Sequence, residues 1–221
     1  MSASTPLSFV TQWLTSNDYS ESGLHRDESD VSPKIALQYF TSYDVNYYAS
    51  FAPGTAARMQ HLRDEAEFMS LAQGSGKACN LKPVSFVKPI GAENEHPGYT
   101  NETRGSNHLV DLLSAIEGGA CAKNTMVVVT YDEFGGQWDH VTPPGQGGKA
   151  GVHDRFGPGT RIPALVITTH LHGDFVVDDT AYDTTSILAT IEHRFDLAPL
   201  TARDGAVNDL TGVYSAHAPE L

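Results

Sequence analysis

The stretch that most constrains this chain is Thr125–Pro144, TMVVVTYDEFGGQWDHVTPP. Its β-branched run, Met126-Val127-Val128-Val129-Thr130, reads as a buried strand that breaks abruptly at Tyr131-Asp132-Glu133-Phe134-Gly135-Gly136. Open α/β sheets present their active sites in this way, with carboxylates delivered to a strand's carboxyl end and a turn made on glycines. The same pattern also suits acids that only cap the next element. The rest of the chain has to weigh one reading against the other.

At 221 residues there is enough chain for one large domain or a fused pair, with a real core. The 14 basic and 27 acidic side chains give a net charge of −13, so the surface repels polyanions. Nucleic acid is therefore not expected as a partner, because that binding depends on Lys and Arg neutralising phosphates. A single phosphate held locally by a metal and histidine stays compatible with this charge. The apolar runs Met126–Val129 and Ile162–Ile167 fall far short of the ~20 residues that a membrane span needs, so no span is expected. The N-terminus shows no basic or apolar signal-peptide region, and its first basic side chain is Arg26.

Residues 1–33 are weakly patterned and read as a loosely structured lead-in, with residues 34–221 forming the domain proper. After Pro53-Gly54, Thr55 can cap a helix whose stripe of Met59, Leu62, Ala66 and Met69 runs to about Gly74; His61, Arg63, Asp64, Glu65 and Glu67 mostly fall off that stripe, as solvated residues. A strand Val84–Val87 leads into the polar loop Gly91–Gly98, and a second helix is expected over Asn107–Glu117 before the central strand at Met126. Strand, loop, helix and strand at this spacing make a right-handed parallel βαβ unit, which brings the His96 loop to the same edge as Asp132 and Glu133. Gln137–Gly159 is a long Gly/Pro-rich connection of the functional kind. Ile162–Thr168 reads as a further strand, with Pro163 indicating an edge or entry position. Asp183 is expected to cap a last helix whose buried face is Ile187, Leu188, Ile191 and Phe195. Cys79 and Cys121 each lie five residues ahead of an apolar run. If those runs are neighbouring parallel strands, a disulfide worth about 4 kcal/mol is feasible; two buried free thiols are the other reading. A disulfide would imply export.

Adjacent carboxylates near histidines suit divalent ions, since oxygen donors favour Mg, Ca or Mn and imidazole admits Zn or Fe. Asp132 and Glu133 would face opposite ways in a regular strand, but the Gly135-Gly136 turn lets both swing to one centre. His96 and His140 are the histidines expected nearby, each with a plain structural hydrogen bond as its alternative. His25, His61, His108, His193 and His217 read as surface or helix-face residues, and His170-x-His172 as a weak metal or phosphate candidate. No GxSxG elbow or Walker loop is present, which removes two common hydrolase plans.

These residues are recognisable as a set. VTYDEFGGQWDHVTPP, preceded by NEHPG and followed by GPGTRIPALVIT and YDTTSILATIEHRF, closely resembles the bacterial phosphoesterase family of phosphatidylcholine-type phospholipases C and AcpA-like acid phosphatases, within the alkaline-phosphatase-like superfamily. The match runs from about Phe40 to Asn208. The resemblance implies an α/β fold, a partial alkaline-phosphatase-like arrangement with a mainly parallel sheet flanked by helices. It implies Asp132 and Glu133 as ligands of a divalent metal, His96 contacting the phosphoryl group or leaving oxygen, and His140 lining the pocket. The implied reaction is hydrolysis of a phosphate mono- or diester, with a small phosphate ester or a phospholipid head group as partner and a secreted or periplasmic location.

Full-length relatives open with an ENRSFDHYFG-like motif that completes the metal site, and carry a Ser or Thr nucleophile before their midpoint. Residues 1–40 resemble neither, and Pro33–Leu37 stands where relatives have a His-rich segment. The chain is therefore expected to be the C-terminal half of such an enzyme, incomplete unless joined by a missing N-terminal half or by self-association. A non-catalytic remnant that keeps the fold and weak metal or phosphate binding is the alternative.

Overall fold

Strand β5 (Thr125–Thr130) is buried along almost its whole length, as its Val-rich sequence requires. In the computed structural model, which describes residues 8–10, 37–41, 54–74, 78–144, 159–169, 171 and 176–216, β5 lies between β1 (Ser8–Val10), to which it is parallel, and β6 (Ala164–Ile167), to which it is antiparallel. The register sets Phe9 beside Met126 and Val128 beside Val166. A second ladder has the order β3-β2-β4, formed by Leu62–Arg63, Leu37–Thr41 and Val84–Lys88, with both pairings parallel. The two ladders meet where β1 runs alongside β4. The chain is thus a mixed α/β protein in which β1 stands between the strands starting at Val84 and Thr125. Those two strands are not the immediate neighbours that their spacing suggested. The inserted strand comes from residues 8–10, within the stretch read as a loose lead-in, where a three-residue strand leaves little periodicity to read.

The helix expected from Thr55 to about Gly74 is interrupted. Helix α1 (Ala56–His61) ends at β3, and α2 (Glu65–Gln73) starts afresh from Asp64, whose Oδ1 accepts the Ala66 N–H at 2.8 Å. This restart shifts the buried face. Glu65, Phe68 and Ala72, spaced by three and four, point inward, while Met59 is 60% exposed. Helix α3 (Glu102–Glu117) begins five residues earlier than its apolar periodicity indicated, because Asn101 caps it by accepting the Arg104 N–H at 3.1 Å.

The core gathers Phe68 and Ala72 from α2, Val87 from β4, Leu112, Ala115 and Ile116 from α3, and Val127 from β5. At its edge Cys79 and Cys121 form a disulfide that closes 42 residues of sequence separation, so the free-thiol reading falls. Just before Cys121, a Cβ on Gly119 would lie 1.8 Å from the Ala72 carbonyl oxygen, so α2 can approach this turn only at a glycine. β6 is an exposed edge strand entered directly after Pro163.

The chain divides into two units, Met1–Ile167 and Thr168–Leu221. In the second, α4 (Ser186–Phe195) buries Ile187, Ala189, Thr190 and Ile191. Thr190 Oγ1 accepts the Leu210 N–H at 2.9 Å, tying the helix to the 3-10 turn Leu210–Tyr214. Asp183, expected to cap this helix, accepts the Thr185 N–H at 2.6 Å and the Arg203 Nε–H at 3.0 Å. His170, His172, Phe175, His25, His217 and Pro33–Ala36 lie outside the described residues.

Candidate functional site

A cavity of about 310 Å³ lies where β4 and β5 end. Val87, Leu109, Leu112 and Val128 make its apolar walls, and Glu93, Glu95, Ser106, His108 and Tyr131 supply its polar groups. An apolar pocket with a few convergent polar groups at the carboxyl ends of strands is the usual form of a small-molecule site.

Glu95 organises one wall. It sits in the left-handed region at φ 60°, unusual for a residue with a Cβ. Its carboxylate accepts a hydrogen bond from the Tyr131 hydroxyl and another from Ser106 Oγ at 3.2 Å. Its Cγ lies where a Cβ on residue 105 would be, 2.0 Å away, so the second turn of α3 carries Gly105 at that point. The hydrogen bond to Glu95, with burial and the carboxylate's charge, pushes the Tyr131 pKa up to about 12, and the phenol keeps its proton at neutral pH.

Tyr131 and Glu95 immediately precede Asp132 and His96, so their bond draws these two candidates to one edge of the sheet. Asp132 is half-buried and near Lys88, the last residue of β4. Burial pushes the Lys88 pKa down, and the Asp132 charge partly restores it. Glu133 is exposed, and its Oε2 accepts the Gly135 N–H at 2.8 Å; Gly135 and Gly136 both have positive φ, making the turn that a strand of L-residues would resist. His96 is exposed, stacks against Tyr99 at 4.6 Å and donates from Nδ1 to the Pro97 carbonyl at 2.7 Å, leaving Nε2 as its other ring nitrogen. His140 is 75% exposed and lies 6.1 Å from Trp138, ring to ring.

The loop carrying these groups is anchored. Asp139 accepts from Arg161 through both oxygens, at 2.7 and 3.0 Å, and Thr160 Oγ1 donates to the Gln137 carbonyl at 3.2 Å. The Arg161 bonds hold the Asp139 carboxyl well below the usual carboxylate range. The Phe134 ring lies over Gly159, where a Cβ would be 2.7 Å from it.

Asp132, Glu133, His96 and His140 do not form a group of three metal donors among the described residues. The group that does form is Glu65, Glu93 and His108, with one donor atom from each within 4.8 Å of the others. Glu65 is 8% exposed, and its carboxylate meets His108 Nε2 at 3.1–3.2 Å, while Glu93 Oε2 lies 3.7 Å from His108 Nδ1. The Glu65 hydrogen bond raises the His108 pKa against the opposing effect of burial. From the sequence, Glu65 is expected to be solvated and His108 to be a surface or helix-face residue. The missed signal is Asp64-Glu65-Ala66-Glu67, an N-terminal helix signature that resets the helix phase and turns Glu65 inward. Lys88, Glu95 and Tyr131 carry no distinctive sequence signal, because each is ordinary until the strand ends are brought together.

The Phosphoesterase family profile matches residues 7–198. Phospholipase C A of Mycobacterium tuberculosis is 31% identical over 163 residues, covering 65% of this chain and 31% of that protein. Phospholipase C B of the same organism is 34% identical over 160 residues, covering 63% and 30%. A non-hemolytic phospholipase C of Burkholderia pseudomallei is 26% identical over 217 residues, covering 84% and 30%. The chain spans about a third of the length of these curated relatives.

Proposed function

Since the chain belongs to the Phosphoesterase family, we propose that it forms part of a hydrolytic centre for phosphate mono- or diesters, with a phospholipid head group as the substrate class favoured by its phospholipase C relatives. The observation that carries this reading is the delivery of Asp132 and Glu133 to the end of β5, on the edge where β4 and β5 open into the cavity. The parallel pairings of β1, β2, β3, β4 and β5 support a partial alkaline-phosphatase-like sheet. The disulfide supports a secreted or periplasmic location. Among the described residues no helix is long and apolar enough to cross a membrane.

Two carboxylates on a glycine turn fit an oxygen-preferring divalent ion in donor chemistry. Such an ion, when bound, supplies positive charge that polarises a phosphoryl oxygen. The chain's own groups do the rest. The Lys88 ammonium adds positive charge near Asp132 on the same edge. With the Nδ1 proton donated to Pro97, the His96 Nε2 accepts a proton, and it can pass one to a leaving oxygen only from the doubly protonated ring. His140, on the anchored loop, suits contact with the substrate's outer part.

The test is release of nitrophenol from a nitrophenyl phosphate monoester and from nitrophenylphosphorylcholine, with Mg, Mn, Ca, Zn or Fe added in turn. Turnover with at least one ion, lowered at least about 100-fold by Asp132→Asn, is expected. A folded protein without turnover under any ion contradicts an active centre in this chain. The non-catalytic alternative is favoured by one observation, that the four candidates do not close into a donor group among the described residues; it predicts weak binding of metal and phosphate without turnover.

A further inference from the structure

We infer that Glu65, Glu93 and His108 form a second divalent-cation site, of the kind that takes Zn²⁺, distinct from the Asp132-Glu133 pair. The three side chains come from separate places: the start of α2, the loop after β4 and the second turn of α3. Their donor atoms already lie within 4.8 Å of one another. Donors held at bonds of about 2.0–2.2 Å around one tetrahedral ion stand roughly 3.3–3.6 Å apart, so the side chains close the shell by moving inward by about 1 Å.

The charge balance points the same way. Two carboxylates converge on one imidazole, and Glu65 is among the most deeply buried acids of its unit. A buried carboxylate is costly unless paired or coordinating a cation, and Glu65 bears that cost, since its partner His108 also faces Glu93, whose side chain is 41% exposed. Two carboxylate oxygens and one imidazole nitrogen are a donor set known for borderline ions, with the imidazole favouring Zn²⁺ over Mg²⁺ or Ca²⁺. Glu93 and His108 line the cavity, so an ion there borders open space from which water or a ligand oxygen completes its shell. It would also fasten α2, the β4 exit loop and α3 together at the cavity wall.

The inference does not rest on the phosphoesterase reading, and its test separates the two. The full chain, stripped with chelator and kept free of thiols, is titrated with ZnCl₂ by calorimetry and by thermal melting, as wild type, Glu65→Gln, His108→Gln and Asp132→Asn. Wild type is expected to gain about 5–10 °C in Tm at saturating ion. Glu65→Gln and His108→Gln are expected to bind at least about tenfold more weakly and to lose that gain, while Asp132→Asn keeps it. Should a variant misfold, Co²⁺ added to wild type provides the second reading, through paramagnetic shifts of the His108 ring signals in the histidine NMR spectrum. No Zn²⁺ binding by wild type overturns the inference. So does binding that survives Glu65→Gln and His108→Gln unchanged, or Co²⁺ that shifts His96 or His140 and leaves His108 untouched.

Discussion

At the scale of single residues, the candidate site depends on glycines and on one strained acid. Glu95 holds a positive φ because Tyr131 and Ser106 bond its carboxylate and Gly105 leaves space for its stem. Gly105→Ala is therefore expected to expel Glu95 from this position. Without the carboxylate bond, the Tyr131 pKa should fall from about 12 toward its ordinary 10.0, measured as a phenolate absorbance titration against a Tyr131→Phe blank. A Tyr131 titration unchanged by Gly105→Ala would show that Glu95 does not govern this phenol. At Gly119 the obstacle is backbone, the Ala72 carbonyl, so Gly119→Ala should destabilise by about 1–3 kcal/mol or more in urea unfolding. The position of Asp132 and Glu133 directly after β5 is legible in the sequence, because a β-branched run breaks there into two acids and two glycines. Glu95 was not, since nothing in NEHPG announces that the residue before the histidine turns inward.

At the scale of elements, the strand β5 and the helices α3 and α4 follow from their apolar periods, and each is found near its expected position. The break between α1 and α2 does not, because Leu62 continues the apolar stripe of Met59 and only the cap at Asp64 marks the restart. The consequence is large, since the restart buries Glu65 and brings it to His108. In the C-terminal unit, the YDTT segment acts structurally. Tyr182 Oη donates to Asp178 Oδ2 at 2.6 Å, and Thr180 N–H donates to Asp178 Oδ1 at 3.0 Å. Burial raises the Asp178 pKa, but these donors outweigh it and leave the group below its ordinary 3.8. A carboxyl with a depressed folded pKa binds protons more readily when unfolded. Its stabilisation is therefore complete above the unfolded pKa and is lost as pH falls through the folded one. The difference in Tm between wild type and Asp178→Asn should thus be steady near neutral pH and shrink as pH falls below the ordinary 3.8. A difference that grows on acidification would contradict this assignment.

At the scale of the whole molecule, the central core is closed by long-range links whose partners the sequence left open. The Cys79–Cys121 bond and the β1–β5 pairing join residues far apart in the chain, where periodicity has no reach. Replacing both cysteines with serine should cost about 2–5 kcal/mol, read as a lower urea midpoint under non-reducing conditions. What made the family legible was a set of motifs in order; what stayed hidden was which side chains those motifs bring into contact. On the proposed function, the edge carrying Asp132 and Glu133 receives a phosphate ester. Phosphate binding tests this most directly, because binding does not require every catalytic group. Calorimetric titration with inorganic phosphate in the presence of Mn²⁺ should show saturable binding to wild type that weakens at least about tenfold in Asp132→Asn. Equal binding by the two proteins, or none by wild type, would contradict it.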